Sequence, residues 1–207
     1  MAKFPEPPSA EALATIPPEI RQIPAGETLW RLYFRGGQYP TFWNTFRAFG
    51  PTDARFDHHL PPPRLQVRRV LYGALEGPTC LAEVFQNTRV IDRAAHDPWL
   101  VGFELARPLV LLDLTGVWPT RARASMGLST GPRPRARRWA QVIYEAYPEV
   151  QGLFYPSSMH ANRPAVAFWE RAGGAMPPMP IFHGPLVDPA LLPVLSRVAR
   201  NLGYGLA

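Results

Sequence analysis

The amino-acid sequence predicts an α+β fold in one domain. Predicted strands outnumber predicted helices, and they follow one another without the regular strand–helix alternation of a parallel α/β protein. A chain of 207 residues is long enough to bury a sizeable core and too short for two full enzymatic domains with a linker. A hydrophobic content of 46% with 18% charged residues is typical of a globular protein.

Periodicity and helix-breaking residues predict the elements in order. A first helix begins after Ser9 and runs to Ile16, and two prolines end it. Alternating side chains predict a strand from Thr28 to Phe34, with large groups on both faces. The later predicted strands are 68–75, 100–104, 109–113, 152–155 and 165–169, and the later predicted helices are 79–86, 135–147 and 189–202, with Gly203 just past the last.

Residues 35–65 show no sustained period but are rich in glycine, proline and aromatic residues. A loop with so many aromatic side chains is seldom bathed in solvent, and long irregular loops in compact domains usually serve function. This segment is therefore predicted to fold over a pocket.

The sequence does not have the features of a membrane-spanning, secreted, disulfide-bonded or metal-binding protein. Its longest apolar runs, such as Leu109–Leu112, are far shorter than the roughly 18 to 20 residues that span a bilayer. The N-terminus carries acids and prolines where a secretory signal would have a basic end and an apolar stretch, which predicts a cytoplasmic protein. The lone Cys80 forms no internal disulfide and is expected to be buried, while His58 and His59 are expected in a loop or on the surface rather than at a metal.

The formal net charge of +6 raises the question of a polyanionic partner. One lysine and 21 arginines supply the positive charge, so a chain-wide preference for arginine explains part of it. One cluster stands out, with six arginines and no acid between Arg121 and Arg138. It is interpreted either as a solvated loop leading into a helix or as a site that binds phosphate or an acidic partner.

Two short segments carry the candidate site residues. The segment Ala54–Asp57 contains Arg55, and the segment Val70–Phe85 contains Tyr72 and Glu83, eleven residues apart across a predicted strand, a Gly-Pro break and a helix. Glu83 has apolar neighbours, and a buried carboxylate is costly unless it is paired or hydrogen-bonded. A cation, an aromatic ring and a carboxylate together suit the binding and cleavage of a dinucleotide.

These segments, with LWRLYF before them and GLFYPSS after them, resemble the RES domain family. The resemblance covers roughly residues 29–169 and defines a RES domain over 29–207, which includes the C-terminal helix 189–202, with residues 1–28 as an N-terminal accessory segment. It implies an ADP-ribosyltransferase-like fold of mixed sheets with peripheral helices. It also implies a toxin of a bacterial toxin–antitoxin pair that uses NAD as its substrate, with no cofactor, and that assembles with an Xre-family antitoxin rather than with nucleic acid or membrane.

The resemblance also assigns roles to five residues. Arg31 and Arg55 are predicted to bind the two phosphates, because a guanidinium donates paired hydrogen bonds to phosphate oxygens. Tyr72 is predicted to stack on a base, Glu83 to stabilise positive charge on the ribose, and Ser157 to bind a ribose hydroxyl or a phosphate. The acceptor of the ADP-ribosyl group stays open among water, inorganic phosphate and a protein side chain.

Each residue also has a purely structural interpretation. Arg31 and Glu83 can belong to buried ion pairs, Arg55 can pair with an aspartate beside it, Tyr72 can be a core aromatic residue and Ser157 a turn residue. The proline-rich stretch after Arg55 makes its alignment the least secure, and Arg47 or Arg64 are its alternatives. A non-enzymatic nucleic-acid-binding or interaction module remains the competing class.

Overall fold

A mixed β-sheet forms the centre of the structure, a computed structural model that describes residues 4–207. The strands are β1 (Ile20–Ile23), β2 (Thr28–Phe34), β3 (Arg47–Gly50), β4 (Arg64–Ala74), β5 (Val90–Ile91), β6 (Pro98–Glu104), β7 (Leu109–Asp113), β8 (Gly152–Pro156), β9 (Pro164–Trp169), β10 (Phe182–Pro185) and β11 (Gly205–Leu206). The helices are α1 (Ala10–Ala14), α2 (Gly77–Val84), α3 (Trp118–Arg121), α4 (Gly127–Thr130), α5 (Arg133–Ala146) and α6 (Leu192–Leu202), with 3₁₀ turns at Glu170–Ala175 and Pro189–Leu191.

Within the described residues, nine strands form the main sheet in the order β1-β7-β8-β9-β4-β2-β6-β10, with β3 paired to β4. The β7–β8 pair is parallel and the other pairs are antiparallel. The short strands β5 and β11 form a separate parallel pair. Two hydrophobic clusters form the core, the larger of which includes residues from α2, α5 and α6. The predicted α+β class is confirmed.

Several predicted bounds are confirmed and others differ. The strands at Thr28–Phe34 and Leu109–Asp113 lie where the alternation placed them. The strands β1 and β10 were not predicted, because four-residue strands carry too little periodicity to be recognised. The final helix is a 3₁₀ turn followed by α6, and Gly203 ends it in the left-handed conformation, with φ of 66°.

The irregular segment 35–65 is only partly as predicted. It contains the strand β3, which pairs with β4 and was not predicted. Phe56 is fully buried, but Tyr39 and Phe42 are exposed by 78% and 66%. The segment contributes Thr41, Arg47 and the residues around Arg55 to a pocket, because its C-terminal part turns inward.

The first described residues, from Phe4 onward, belong to the same core. Phe4 and Leu13 are buried in the larger cluster, and β1 pairs with β7 at one edge of the main sheet. The Tyr147 hydroxyl donates hydrogen bonds to the carbonyls of Leu13 and Ile16. Residues 4–23 therefore pack against the main sheet and against α5.

The sheet opens between β2 and β4. These strands share one residue pair, Trp30 with Ala74, whereas Leu32 and Tyr72 are not paired. Gly73 permits the close approach at that pair, because a Cβ atom there would lie 2.9 Å from the Trp30 carbonyl oxygen. Beyond this point the strands diverge and leave a gap in the sheet.

His58 and His59 lie in a loop, one of the two expected positions, and they are fully buried rather than on the surface. His59 Nδ1 bonds Asp57, whose other oxygen accepts from Arg47 and from Thr52. His58 stacks 4.7 Å from the Tyr144 ring, and burial lowers the pKa of its imidazole. Among residues 4–207 no three His, Cys, Asp or Glu side chains are placed to hold a metal ion.

Candidate active site

A pocket of about 430 Å³ opens where β2 and β4 diverge. Its volume lies within the range of about 300 to 1,000 Å³ that is usual for small-molecule sites. The walls come from β2, β4, α2, the end of β8, the loop around Arg55 and the start of α5. Its polar lining includes Arg31, Arg47, Asp53, Arg55, Tyr72, Glu83, Gln86, Ser129, Arg133, Tyr155 and Ser158.

Glu83 is held at the edge of this pocket by α2. The helix begins at Gly77-Pro78, where proline is favourable because its missing N–H would have no helical partner. The Cys80 thiol donates to the Trp30 carbonyl at 3.0 Å and fixes the helix to β2. One helical turn later, Glu83 Oε1 accepts a hydrogen bond from Ser157 Oγ at 2.5 Å. No arginine forms a salt bridge with Glu83 among the described residues.

Ser157 lies at the end of β8, fully buried. Besides donating to Glu83, its hydroxyl accepts from the N–H groups of Met159 and His160 at 3.2 and 3.1 Å. The same turn bonds α2 a second time, because His160 Nδ1 lies 2.9 Å from the Thr79 hydroxyl. The direct substrate contact predicted for Ser157 stays a prediction, and the structure adds a contact that orients the Glu83 carboxylate.

We expect Ser157→Ala to lower the kcat of a reaction catalysed at this site about tenfold, because Glu83 loses the bond that orients it. The variant also removes the acceptor of the half-buried N–H groups of Met159 and His160, which costs about 1 kcal/mol each in free energy of unfolding. Steady-state kinetics with thermal unfolding separates the two effects. In a Glu83→Gln background the same change should cost less than twofold in kcat, and a full tenfold loss there would contradict an action through Glu83.

Arg55 lines the same pocket. Its Nη1 donates to the carbonyls of Leu128 and Gly131 at 3.2 and 2.7 Å, and no other hydrogen bond of its guanidinium is formed with residues 4–207. Burial lowers the pKa of Arg55, and the nearby charge of Arg133 lowers it further, while Glu83 raises it. The carbonyls thus fix one nitrogen and leave the rest of the fork for a ligand. The predicted alternative, a pair with Asp53 or Asp57, is not formed.

Two tyrosines line the same pocket. The Tyr72 hydroxyl donates to the Arg55 carbonyl at 3.0 Å, so Tyr72 also fixes the loop that carries Arg55. Burial is the main cause that raises the pKa of Tyr72 and of Tyr155, so both phenols stay protonated at neutral pH. Tyr155, which sequence reasoning missed, packs on Phe56 at 4.8 Å and makes no hydrogen bond through its hydroxyl within the described chain. That hydroxyl is available to a ligand.

Arg31 is buried in β2 and lines the pocket. Its Nη1 donates to the carbonyls of Trp43 and Thr45, both at 3.1 Å, and it forms no ion pair among the described residues. Burial lowers its pKa to about 10, so the guanidinium stays charged at neutral pH. Arg31 therefore anchors the irregular segment as well as facing the site, and its predicted phosphate contact stays a prediction.

Two further arginines of the pocket were not predicted as site residues. Arg47, considered only as an alternative to Arg55, bonds the buried Asp57 at 2.9 Å. Arg133, a member of the arginine cluster, bonds Asp53 at 3.1 Å and Gln86 at 2.8 Å. The other alternative, Arg64, bonds exposed carbonyls outside the pocket. The four arginines of the pocket outnumber the acidic side chains at or near it, which are Glu83, Asp53 and the paired Asp57. This excess of positive charge makes the pocket suited to an anion.

Most arginines of the cluster are paired with acids of the chain. Arg133 and Arg137 share Asp53, Arg135 and Arg138 share Glu6, and Arg121 bonds Glu19. The interpretation as a solvated loop is thus only partly right, because the segment forms α3, α4 and the start of α5. These salt bridges occupy guanidinium N–H groups that would otherwise be free to bind a polyanion.

Cys80 is buried, as predicted. Burial raises the pKa of its thiol to about 12, so the reactive thiolate is scarce at neutral pH. The thiol thus acts in packing α2 against β2.

Fold and site together define a class of protein: an α+β domain whose central mixed sheet opens into an arginine-rich pocket, with a glutamate carboxylate held by a serine hydroxyl. The family model of the RES domain matches residues 28–187, and the chain belongs to the RES domain family. Comparison with curated protein sequences finds no match.

One solved structure is similar over most of the chain. It is the crystal structure of the M. tuberculosis MbcT–MbcA toxin–antitoxin complex, with 17% sequence identity, 85% of this chain and 92% of that chain covered, and a TM-score of 0.53. At this identity the likeness concerns the fold. It confirms the predicted arrangement of a mixed sheet with peripheral helices.

Proposed function

We propose that this protein is the toxin of a bacterial toxin–antitoxin pair and that it degrades NAD by cleaving the bond between nicotinamide and ribose. The observation that carries the proposal is the Glu83 carboxylate, hydrogen-bonded by Ser157 and facing a pocket with four arginines and two tyrosines. Membership of the RES domain family supports it. NAD is the substrate in this proposal, and no cofactor takes part.

The arrangement suits each part of the dinucleotide. Arg55 and Arg31 bind the two phosphates through guanidinium donors, and Tyr72 stacks on a base. Glu83 accepts hydrogen bonds from ribose hydroxyls and stabilises the positive charge that develops at the anomeric carbon. The carbon–nitrogen bond breaks with its electron pair going to nicotinamide, which leaves as a neutral base, and an acceptor oxygen then bonds to the same carbon.

The acceptor distinguishes three activities. Inorganic phosphate gives an NAD phosphorylase, water gives an NAD glycohydrolase, and a protein side chain gives an ADP-ribosyltransferase. We favour degradation, with phosphate as the acceptor that suits the excess of arginines best. Transfer to a protein is the alternative activity of the same site.

The experiment is incubation of the purified protein with NAD, with and without phosphate, and identification of the products by mass spectrometry. Phosphate-dependent formation of a phosphorylated ADP-ribose supports the phosphorylase, and ADP-ribose in both conditions supports the glycohydrolase. NAD that stays intact in both conditions contradicts degradation, and mass added to proteins of a cell extract then indicates transfer.

The proposed partner is a cognate antitoxin of the Xre family, in an oligomeric complex in the bacterial cytoplasm. We expect it to cover the mouth of the pocket with an acidic or C-terminal segment that reaches the arginines. The competing class, a nucleic-acid-binding module, is weakened because five arginines of the 121–138 cluster are paired within the chain. No helix within residues 4–207 is long and apolar enough to cross a membrane.

A further inference from the structure

Residues Phe4–Glu6 lie across the start of α5. The Pro5 carbonyl accepts from the buried Trp139 indole at 3.0 Å, and the Phe4 carbonyl accepts from Arg135. The Glu6 carboxylate bonds Arg138 at 2.6 and 2.7 Å. Contacts through backbone and side chain fix the direction of this segment, so the Phe4 ring has a defined position.

The Phe4 ring packs on the two glycines at the ends of α4. A Cβ atom at Gly127 would lie 2.5 Å from the ring, and one at Gly131 would lie 2.7 Å from it. Such contacts are too close for any other residue, so both positions need glycine while Phe4 is present. The ring itself is only 7% exposed and belongs to the larger core cluster. Phe4 thus sets the position of the backbone from Gly127 to Gly131.

This backbone also holds Arg55. The carbonyls of Leu128 and Gly131 are the two acceptors for Arg55 Nη1. Gly131 therefore touches the Phe4 ring on one side and the guanidinium of the pocket on the other. A chain of direct contacts leads from the first described residue to the pocket.

We propose that Phe4 is a positioning residue, which holds the 127–131 segment so that its carbonyls aim the Arg55 guanidinium into the pocket. The inference rests on the proposed function, because it assigns to Arg55 the binding of an NAD phosphate. It goes beyond the family domain, since the matched region begins at residue 28 and Phe4 lies outside it. Phe4 touches no substrate in this scheme and acts only through Arg55.

The test is Phe4→Ala, with Phe4→Leu as the conservative variant and Leu13→Ala as the matched control. Leu13 is a fully buried apolar residue of the same N-terminal region, bonded through its carbonyl to the far end of α5 at Tyr147. We expect Phe4→Ala to raise the KM for NAD about tenfold with kcat changed less than about twofold, because binding is lost and not chemistry. Phe4→Leu should restore most of the affinity, and Leu13→Ala should lower thermal stability and leave KM unchanged.

A double variant distinguishes positioning from general loosening. In an Arg55→Lys background, Phe4→Ala should add less than about twofold to KM, since residues that act through one contact are not additive. A further tenfold rise there, or an equal rise in KM in Leu13→Ala, would overturn the proposal.

A measurement without substrate keeps the inference separate from the proposed function. Hydrogen exchange of the amides from Leu128 to Gly131, which bond carbonyls of 125–127, should quicken at least tenfold in Phe4→Ala and not in Leu13→Ala. If the unaltered protein neither binds nor consumes NAD, the proposed function fails. The exchange rates of these amides then test by themselves whether Phe4 holds the 127–131 segment in place. Unchanged exchange in a folded Phe4→Ala variant would refute the inference whatever the activity.

Discussion

Glu83→Gln should sharply lower the rate of NAD consumption while the protein stays folded. The amide has the shape of the carboxylate and its oxygen can still accept the hydrogen bond from Ser157, so the change removes charge and little else. The loss of a preorganised group that stabilises developing charge lowers kcat by about 10² to 10³. This loss can be measured by stopping the reaction at set times and determining the remaining NAD with a coupled enzymatic assay. The variant and the unaltered protein are compared at the same protein concentration.

Glu76→Gln is the matched control for this variant. Glu76 lies at the N-cap of the same helix, makes no capping bond and pairs with the exposed Arg163. Its variant should consume NAD at the rate of the unaltered protein. Glu83→Gln protein that melts normally and still consumes NAD would exclude Glu83 from the chemistry, and the toxicity of the two variants in cells should follow the same order.

The second large effect is expected from Arg55→Lys. The ammonium keeps the positive charge but has no planar fork, so it cannot donate to the Leu128 and Gly131 carbonyls and to a phosphate in the same geometry. The loss of one charge-assisted bond is worth about 2 kcal/mol, which corresponds to a rise in KM of about 30-fold. We expect kcat to fall much less, because the role proposed for Arg55 is to bind a phosphate of the substrate, away from the bond that breaks.

Arg163→Lys serves as the control for charge-preserving replacement, since Arg163 is 58% exposed and lies outside the pocket. Calorimetric titration of NAD into both variants gives affinities free of kinetic assumptions. An affinity for NAD that Arg55→Lys leaves unaltered would contradict the phosphate-binding role, and Arg47 and Arg133 would then be the candidates.

The neighbourhood of Tyr72 and Glu83 could be predicted because one short segment contains both. The strand β4, the Gly-Pro break and α2 follow each other along the chain, so local propensity alone places the two side chains near the C-terminal end of β4. The strands β1 and β3 could not be predicted, because pairing with β7 and β4 creates them. The burial of His58 and His59 escaped prediction for a similar reason, since it depends on elements distant in sequence: His58 packs against Tyr144 and Trp169, and the His59 carbonyl accepts from Gln141.

The site shows the same division. Arg133 and Tyr155 were missed although the arginine cluster around Arg133 and the GLFYPSS motif around Tyr155 were visible, because the tertiary structure decides which of these side chains line the pocket. Ser157 was found through a family motif, but its bond to Glu83 was not, because hydroxyl contacts depend on side-chain geometry that no pattern encodes.

The sequence by itself determined the α+β class, the order of most elements, the family and the chemical types that the site brings together. Only the tertiary structure decided how those groups are held. The bond from Ser157 to Glu83 spans 74 residues and the bond from Arg55 to Gly131 spans 76. Local propensities act over a few residues, whereas contacts of this span depend on the packing of the whole core around the gap between β2 and β4.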